Sequence, residues 1–159
     1  MDALLELLSH NARASLADLA KELNSTPDEV ERQIHELEAN GSIRGYQAIL
    51  DPQKTQVDLV TAVIEVKIAP ERGGGFDRLA VRIAMFDQVR GCYLMSGGYD
   101  LLVIVQGTSL QDISLFIAEK LSTIKGVLST ATHFRLKSYK EQGTLLIQDQ
   151  RPNRLPVAP

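Results

Sequence analysis

Two side chains that commonly bind DNA stand three residues apart in a short polar segment of this 159-residue chain. They are Arg32 and His35, within NSTPDEVERQIHELEANGSI (24–43). An arginine can donate two parallel hydrogen bonds to guanine, which is the commonest specific contact with a base edge. The same segment carries five acidic side chains and only this one basic side chain. A DNA-reading role therefore depends on which face of a helix each charge occupies.

The signals for the start and end of a helix are clear in this segment. Thr26 is placed as the N-cap, Pro27 as the first helical residue and Glu29 as the residue that closes a capping box. The pair Asn40 and Gly41 favours a left-handed stop. The sequence therefore predicts a helix from Pro27 to about Ala39.

On that helix the arginine and the histidine are predicted to point away from the core. Three apolar residues recur at helical spacing and form the core stripe: Val30, Ile34 and Leu37. A rotation of about 100 degrees per residue places Asp28, Arg32 and His35 on the opposite face. Asp28 and Glu36 lie four residues on either side of Arg32, where ion pairs would support the helix.

The elements around this helix complete a DNA-binding fold. A leucine-rich helix is predicted to end near Asn11, and Ser15 is placed as the N-cap of a second, short helix. The stretch 43–50, IRGYQAIL, is predicted to be a short strand. Three helices and a strand indicate a winged helix-turn-helix.

A second candidate site is the pentapeptide SGGYD, Ser96–Asp100. Two adjacent glycines between apolar strands are what a tight hairpin needs. The same glycines also allow a small ligand to approach backbone N–H groups, which suits a carboxylate, while Asp100 could pair with an amino group. From the residues alone, both a plain turn and a site for an α-amino acid remain open.

The second half of the chain alternates strands with helices. The order strand, helix, strand, strand, helix, strand predicts a split βαβ arrangement, in which a four-stranded antiparallel sheet carries both helices on one face. The strands are predicted at 59–68, 89–96, 101–107 and 127–139, with helical stripes at 76–83 and 110–124. The fold class is therefore α+β, with a ferredoxin-like βαββαβ second domain.

Composition and charge differ along the chain and indicate its division into domains. We predict domains at 1–50 and 60–140, a linker at 51–59, and an extension at 141–159 whose end is disordered. Residues 1–50 hold four basic and nine acidic side chains, a net charge of −5 within a total of −3. Long-range attraction of nucleic acid is therefore not expected.

Enzymatic and metal chemistry have little support in the sequence. The three histidines are far apart, the single cysteine, Cys92, lies in an apolar stretch, and no glycine-rich phosphate loop is present. We therefore predict no cofactor, no metal site and a buried structural thiol. No apolar run approaches the ~20 residues of a membrane span, so the protein is expected to be cytoplasmic, with no membrane contact.

Three stretches together resemble the Lrp/AsnC family of transcription regulators. They are residues 16–51 (LADLAKELNSTPDEVERQIHELEANGSIRGYQAILD), 92–105 (CYLMSGGYDLLVIV) and 126–143 (GVLSTATHFRLKSYKEQG). The resemblance implies a DNA-binding winged helix-turn-helix followed by a RAM-type domain that binds a small effector and forms oligomers. It further implies homodimers that assemble into octamers, with an amino acid bound between dimers.

The resemblance also assigns candidate residues. The effector set is Ser96, Gly97, Gly98, Tyr99 and Asp100, together with Leu110, Thr132 and His133, which match positions that line the cleft between dimers. The set for double-stranded DNA is Ser25, Thr26, Asp28, Arg32, His35 and Arg44. Because Gly98 replaces an aspartate that is usual in the family, a neutral or acidic amino acid is expected.

An enzyme is the alternative function. Siroheme decarboxylases resemble the same two-domain plan, and the acidic helix favours a role other than DNA binding. Against this alternative, the wing offers Arg44 as its one basic side chain for substrate carboxylates. We therefore predict a regulator that is not an enzyme.

Overall fold

The computed structural model describes residues 2–52, 54–55, 59–69 and 75–147. The chain divides into two compact units, residues 1–49 and 50–159. The first unit holds three helices: α1 (Ala3–His10), α2 (Leu16–Glu22) and α3 (Pro27–Ala39). Each begins where a side-chain oxygen accepts a hydrogen bond from a backbone N–H of the first turn, and the three capping residues are Asp2, Ser15 and Thr26.

The core of the first unit is small and lies between the three helices. Residues from all three helices are buried in it: Leu4, Leu8, Leu19, Ala20 and Val30. Ile34 and Leu37 are partly buried against this cluster, so the predicted core stripe of α3 is confirmed. The face of α3 that carries Arg32 and His35 is exposed, as predicted.

The predicted wing strand at 43–50 is wrong in its secondary structure. These residues do not pair as a strand with any other described segment, and Tyr46, Ile49 and Leu50 remain exposed. A strand needs a partner for its backbone hydrogen bonds, and unit 1 has no second extended segment there. The hydroxyl of Tyr46 donates to Oε1 of Glu38 at 2.9 Å, which ties this segment to α3.

The second unit contains the predicted four-stranded antiparallel sheet. The elements of the second unit are β1 (Val60–Ile68), α4 (Gly75–Ala84), β2 (Val89–Leu94), β3 (Leu101–Gly107), α5 (Leu110–Phe116) and β4 (Val127–Phe134). The strand order in the sheet is β2-β3-β1-β4, so β2 and β4 form the edges. The α+β split βαβ architecture is confirmed.

Alternation along the central strands explains why both helices cover the same face. Ala62, Ile64 and Val66 of β1 lie opposite Val105, Val103 and Leu101 of β3, and all six are fully buried. Ile83 of α4 and Ile113 and Phe116 of α5 complete this core. The intervening residues of each strand point to the uncovered face of the sheet.

Three local features differ from the sequence predictions. The helix from Leu110 ends its α-helical part at Phe116 and continues as a π-helical stretch, Ile117–Leu121. Leu110 is exposed, not part of the core stripe, because it starts the helix beyond the end of β3. The predicted last strand at 127–139 ends at Phe134.

A short hairpin spans the predicted boundary between the second domain and the C-terminal extension. Lys140–Glu141 (β5) pairs with Thr144–Leu145 (β6) across a turn at Gln142 and Gly143, both of which have positive φ. The predicted disordered end lies outside the described residues. Among the described residues, no helix is both long enough and apolar enough to cross a membrane.

Candidate functional sites

The outward face of α3 carries an ion-pair cluster centred on Arg32. The Nε atom of Arg32 donates to Oε2 of Glu29 at 3.1 Å, and its two terminal nitrogens donate to Glu29 and Glu36. The carboxylate partners of Arg32 are therefore Glu29 and Glu36. Asp28, a predicted partner, makes no ion pair with a described residue, so this part of the prediction is wrong.

Glu29 has a different role from the one predicted by the capping box. The N-cap half of the box forms, because Oγ1 of Thr26 accepts from the Glu29 N–H at 3.3 Å. The Glu29 carboxylate, however, accepts hydrogen bonds from Arg32 and Gln33. The hydrogen bond from Arg32 lowers the pKa of Glu29, and the same bond raises the pKa of Arg32. Both groups therefore stay charged at neutral pH.

The ion pairs of Arg32 affect how this side chain can contact DNA. The Arg32 side chain is 56% exposed, so DNA can reach it, but a guanine contact must replace carboxylate contacts that are already made. His35 is exposed on the same helix face. Arg32 is therefore available as a reading residue whose contact with DNA competes with two neighbouring acids.

The other predicted DNA contacts lie at the two ends of the same helix. Ser25 and Thr26 precede its first turn, and both are exposed. At the other end the guanidinium of Arg44 packs on Gly41, where an added Cβ would lie 3.1 Å from Cζ of Arg44. Since α3 has 13 residues, the predicted contacts extend over about 20 Å.

The pentapeptide Ser96–Asp100 is a turn between β2 and β3 that is held by hydrogen bonds at its ends. The N–H of Met95 donates to the Asp100 carbonyl at 2.8 Å, and the Asp100 N–H donates to the Val66 carbonyl at 3.0 Å. The Asp100 side chain accepts from the Ile68 N–H at 2.7 Å. Asp100 thus anchors the turn to the end of β1, and one carboxylate oxygen already has a protein partner.

The space in front of the two glycines is open. Gly97 has φ +136°, and an added Cβ at Gly97 or Gly98 would meet no atom within 4 Å. Ser96, Gly97 and Gly98 are exposed, while Tyr99 and Asp100 are half-buried. A small ligand or another chain can therefore approach this backbone closely.

One chain does not bring the remaining effector candidates to this turn. Leu110 lies beyond the far end of β3, a strand of seven residues that spans roughly 20 Å. Thr132 pairs with Ile64 and points to the helix-covered face. His133 pairs with Val63 on the uncovered face, where its Nε2 lies 3.4 Å from Oε1 of Glu65. A site that unites all of these residues would need more than one chain.

Two contacts at these sites were missed from the sequence. The pairing of Arg32 with Glu29 follows a three-residue helical spacing, which could have been recognised as a competitor for the capping box. The bond between Asp100 and Ile68 spans 32 residues and leaves no local signal. Among the described residues, no group of three or more His, Cys, Asp or Glu could hold a metal ion.

Comparisons with known proteins match both units. Residues 2–43 match the AsnC-type helix-turn-helix domain, and residues 61–145 match the Lrp/AsnC ligand binding domain. The uncharacterized HTH-type transcriptional regulator YugG of Bacillus subtilis (strain 168) is 43% identical over 157 residues, which cover 98% of this chain and 95% of YugG.

Further matches extend this likeness to a regulator of named function and to a solved structure. The proline dehydrogenase transcriptional activator of Rhizobium radiobacter is 29% identical, with 88% of this chain and 89% of the activator covered. The transcriptional regulator NMB0573 of Neisseria meningitidis, solved as an L-Met complex, is 25% identical with a TM-score of 0.68. That match covers 89% of this chain and 91% of NMB0573. The chain therefore belongs to the Lrp/AsnC family, a family of transcription regulators and not of enzymes.

Proposed function

We propose that this regulator binds double-stranded DNA through α3 and that its DNA binding or assembly changes when an amino acid binds at Ser96–Asp100. The observation that carries the proposal is the turn itself, which is anchored at Asp100. It presents two open glycines next to the Asp100 carboxylate, which is fixed by the Ile68 N–H at 2.7 Å. Backbone N–H groups suit the carboxylate of an amino acid, and Asp100 suits its ammonium group.

The charge of the turn favours a neutral or acidic amino acid. Asp100 is the single acid of the pentapeptide, and one of its oxygens accepts from Ile68. The pentapeptide therefore offers one negative charge, which the ammonium group of the ligand would offset, and no second acid for a cationic side chain. The L-Met complex of NMB0573 supports the same chemical class, because methionine is neutral.

Leu110 lies beyond the end of β3 that is far from the turn, and the adjacent Thr132 and His133 point to opposite faces of the sheet, which supports an oligomeric site. If these residues contribute to effector binding, they do so from different chains that meet at the turn. We therefore include in the proposal a homodimer that assembles into a higher oligomer, an octamer, in which effector occupancy and assembly are linked.

A thermal-shift screen against the twenty amino acids tests the effector. A ligand at about 100 times its dissociation constant stabilises the folded state by about 2.7 kcal/mol, which gives a clear shift. Asp100→Asn is the informative variant, because the amide oxygen still accepts from the Ile68 N–H while the negative charge is lost. We expect this variant to lose the shift and keep its ligand-free unfolding midpoint.

The matched control is Asp87→Asn, which removes one exposed carboxylate elsewhere in the same unit. It should respond to the amino acid like the unmodified protein. An unchanged response in Asp100→Asn would place the effector away from the turn. No response from the unmodified protein to any of the twenty amino acids would overturn the amino-acid assignment.

A further inference from the structure

A cleft of about 300 Å³ lies on the second unit, and none of the residues of the turn Ser96–Asp100 lines it. One face of α4, from Gly75 to Arg82, forms one wall, and the loop between the π-helical stretch and β4 forms the other. Ile68 and Leu79 contribute apolar surface, and three basic side chains surround it: Arg78, Arg82 and Lys125. This volume is at the lower end of the range for small-molecule sites.

The described charged residues that line this basic cleft are all basic. None of the described lining residues is acidic. Arg78 and Arg82 are one helical turn apart on α4, and Lys125 adds a third basic side chain from a separate element. Basic residues therefore come from both walls of the cleft.

Two of the three cations are available for a ligand. Within the described part of the chain, neither Arg82 nor Lys125 makes an ion pair or a hydrogen bond through its side chain, and both are exposed. Arg78 has an interaction of its own. The inference therefore rests on Arg82 and Lys125 alone.

The backbone fixes Lys125 opposite α4. Gly126 has φ +103°, and an added Cβ there would lie 3.6 Å from a methyl carbon of Leu79, so the loop packs directly on the helix. The Gly126 carbonyl accepts from the Ala69 N–H at 2.8 Å, and the Val127 N–H donates to the Ile124 carbonyl at 3.0 Å. The position of Lys125 across the cleft is thus built into the fold.

We propose that the basic cleft is a second ligand site, which binds a small phosphate monoester. A phosphoryl group carries close to two negative charges and three acceptor oxygens, which match cations that converge from two walls. Ile68 and Leu79 would contact a short apolar part of the ester. A phosphoryl group with a short ester substituent fits a cleft of this volume, whereas a DNA duplex could reach the two exposed cations only from outside the cleft.

The site has a direct connection to the turn Ser96–Asp100. The side chain of Ile68 lines the cleft, and its N–H is the group that Asp100 binds. A ligand that settles against Ile68 can therefore alter the end of β1 that anchors the turn. The existence of the cleft site does not rest on the proposed amino-acid effector.

Calorimetric titration with glycerol 3-phosphate, at ionic strength held constant with KCl, tests the proposal. Full-length protein should bind the ester saturably, and the double variant Arg82→Gln/Lys125→Gln should weaken binding about tenfold or more, because charge-assisted hydrogen bonds are lost. The matched control Arg90→Gln/Lys140→Gln removes the same charge outside the cleft and should bind normally.

A titration with inorganic phosphate and a charge-retaining variant extend this test. Inorganic phosphate, titrated in parallel, should bind more weakly than the ester if the apolar residues contribute to binding. Equal affinity for the two ligands would assign recognition to the phosphoryl group alone and would still support the site. The charge-retaining variant Arg82→Lys should keep most of the affinity. No saturable binding, equal binding in the double variant, or a double variant that loses only DNA affinity would overturn the proposal.

Discussion

At the residue scale, Arg32 is both the best candidate for base recognition and the most restrained cation of the first unit. Two carboxylates, those of Glu29 and Glu36, hold its guanidinium on the exposed face of α3. Ion pairs of this kind are weak at an exposed surface, so DNA can displace them. Arg32 therefore gains little from non-specific phosphates and more from a base edge that offers two aligned acceptors.

Replacing Arg32 tests its role in recognition. We expect Arg32→Ala to weaken binding to the specific operator by about 1 to 3 kcal/mol, the value of a bidentate contact with guanine. Arg13→Ala, which removes an exposed arginine outside α3, is the control for net charge. Gel-shift titrations with both variants measure the effect. Equal losses for the two variants would show that Arg32 contributes only charge.

Removing a carboxylate partner of Arg32 should strengthen non-specific binding to DNA. Glu36→Gln removes one carboxylate partner, and we expect tighter binding to non-specific DNA with a steeper dependence on salt, because the guanidinium becomes free to pair with phosphates. Glu31→Gln makes the same change of charge on α3 at a residue that does not pair with Arg32. If both variants tighten binding equally, the cluster around Arg32 has no specific role.

At the element scale, local signals predicted the elements well and long-range contacts poorly. The caps Ser15 and Thr26 predicted helix starts because a side-chain oxygen and a nearby N–H are all that a cap requires. The continuous apolar run LLVIV predicted the central strand at 101–107 in full. The wing strand failed because pairing depends on a partner segment, which hydrophobic pattern alone does not supply.

The same reasoning applies to the candidate sites. The outward position of Arg32 follows from helical periodicity and was predictable. The anchoring of Asp100 by Ile68 depends on the pairing of β1 with β3, so no local pattern could reveal it. Likewise, it is strand register that places Thr132, and not the adjacent His133, on the helix-covered face.

The junction between β3 and α5 offers a test of packing. An added Cβ at Gly107 would lie 2.7 Å from Oδ2 of Asp112 and 2.9 Å from Cγ1 of Ile113. That same Asp112 oxygen accepts from the Thr108 N–H at 3.0 Å, so it cannot move without loss of a hydrogen bond. We expect Gly107→Ala to lower the free energy of unfolding by about 1 to 3 kcal/mol in denaturant titrations.

Gly98→Ala is the control for this prediction. It adds the same methyl group in the same unit, where no atom lies within 4 Å and φ is not positive. Its stability should match that of the unmodified protein. A similar stability for Gly107→Ala would mean that the β3–α5 junction relaxes without cost.

At the scale of the whole molecule, charge and surface both favour action as an assembly. A single DNA-binding domain, here called a head, binds the phosphate backbone weakly, because residues 1–50 hold four basic and nine acidic side chains. Several heads joined in one oligomer can exceed the affinity of a single head by about a hundredfold or more through effective concentration alone. The face of the sheet opposite α4 and α5 is the candidate surface for assembly, because the apolar residues Val63, Leu102 and Ile104 lie on it and neither of these two helices covers them.

Ile104→Lys tests this link between assembly and DNA binding. Ile104 pairs with Val63 on the uncovered face, so lysine there leaves the buried core intact but places a charge on the apolar part of that surface. We expect light scattering to show an oligomer of the 17.5 kDa chain at micromolar concentration, and a smaller species for the variant. Operator affinity should fall about a hundredfold with the loss of joined heads. Met85→Lys, at a residue that is 79% exposed at the end of α4, should change neither property. A monomeric unmodified protein, or a dissociated variant that binds the operator at full strength, would contradict the proposal that weak heads act together.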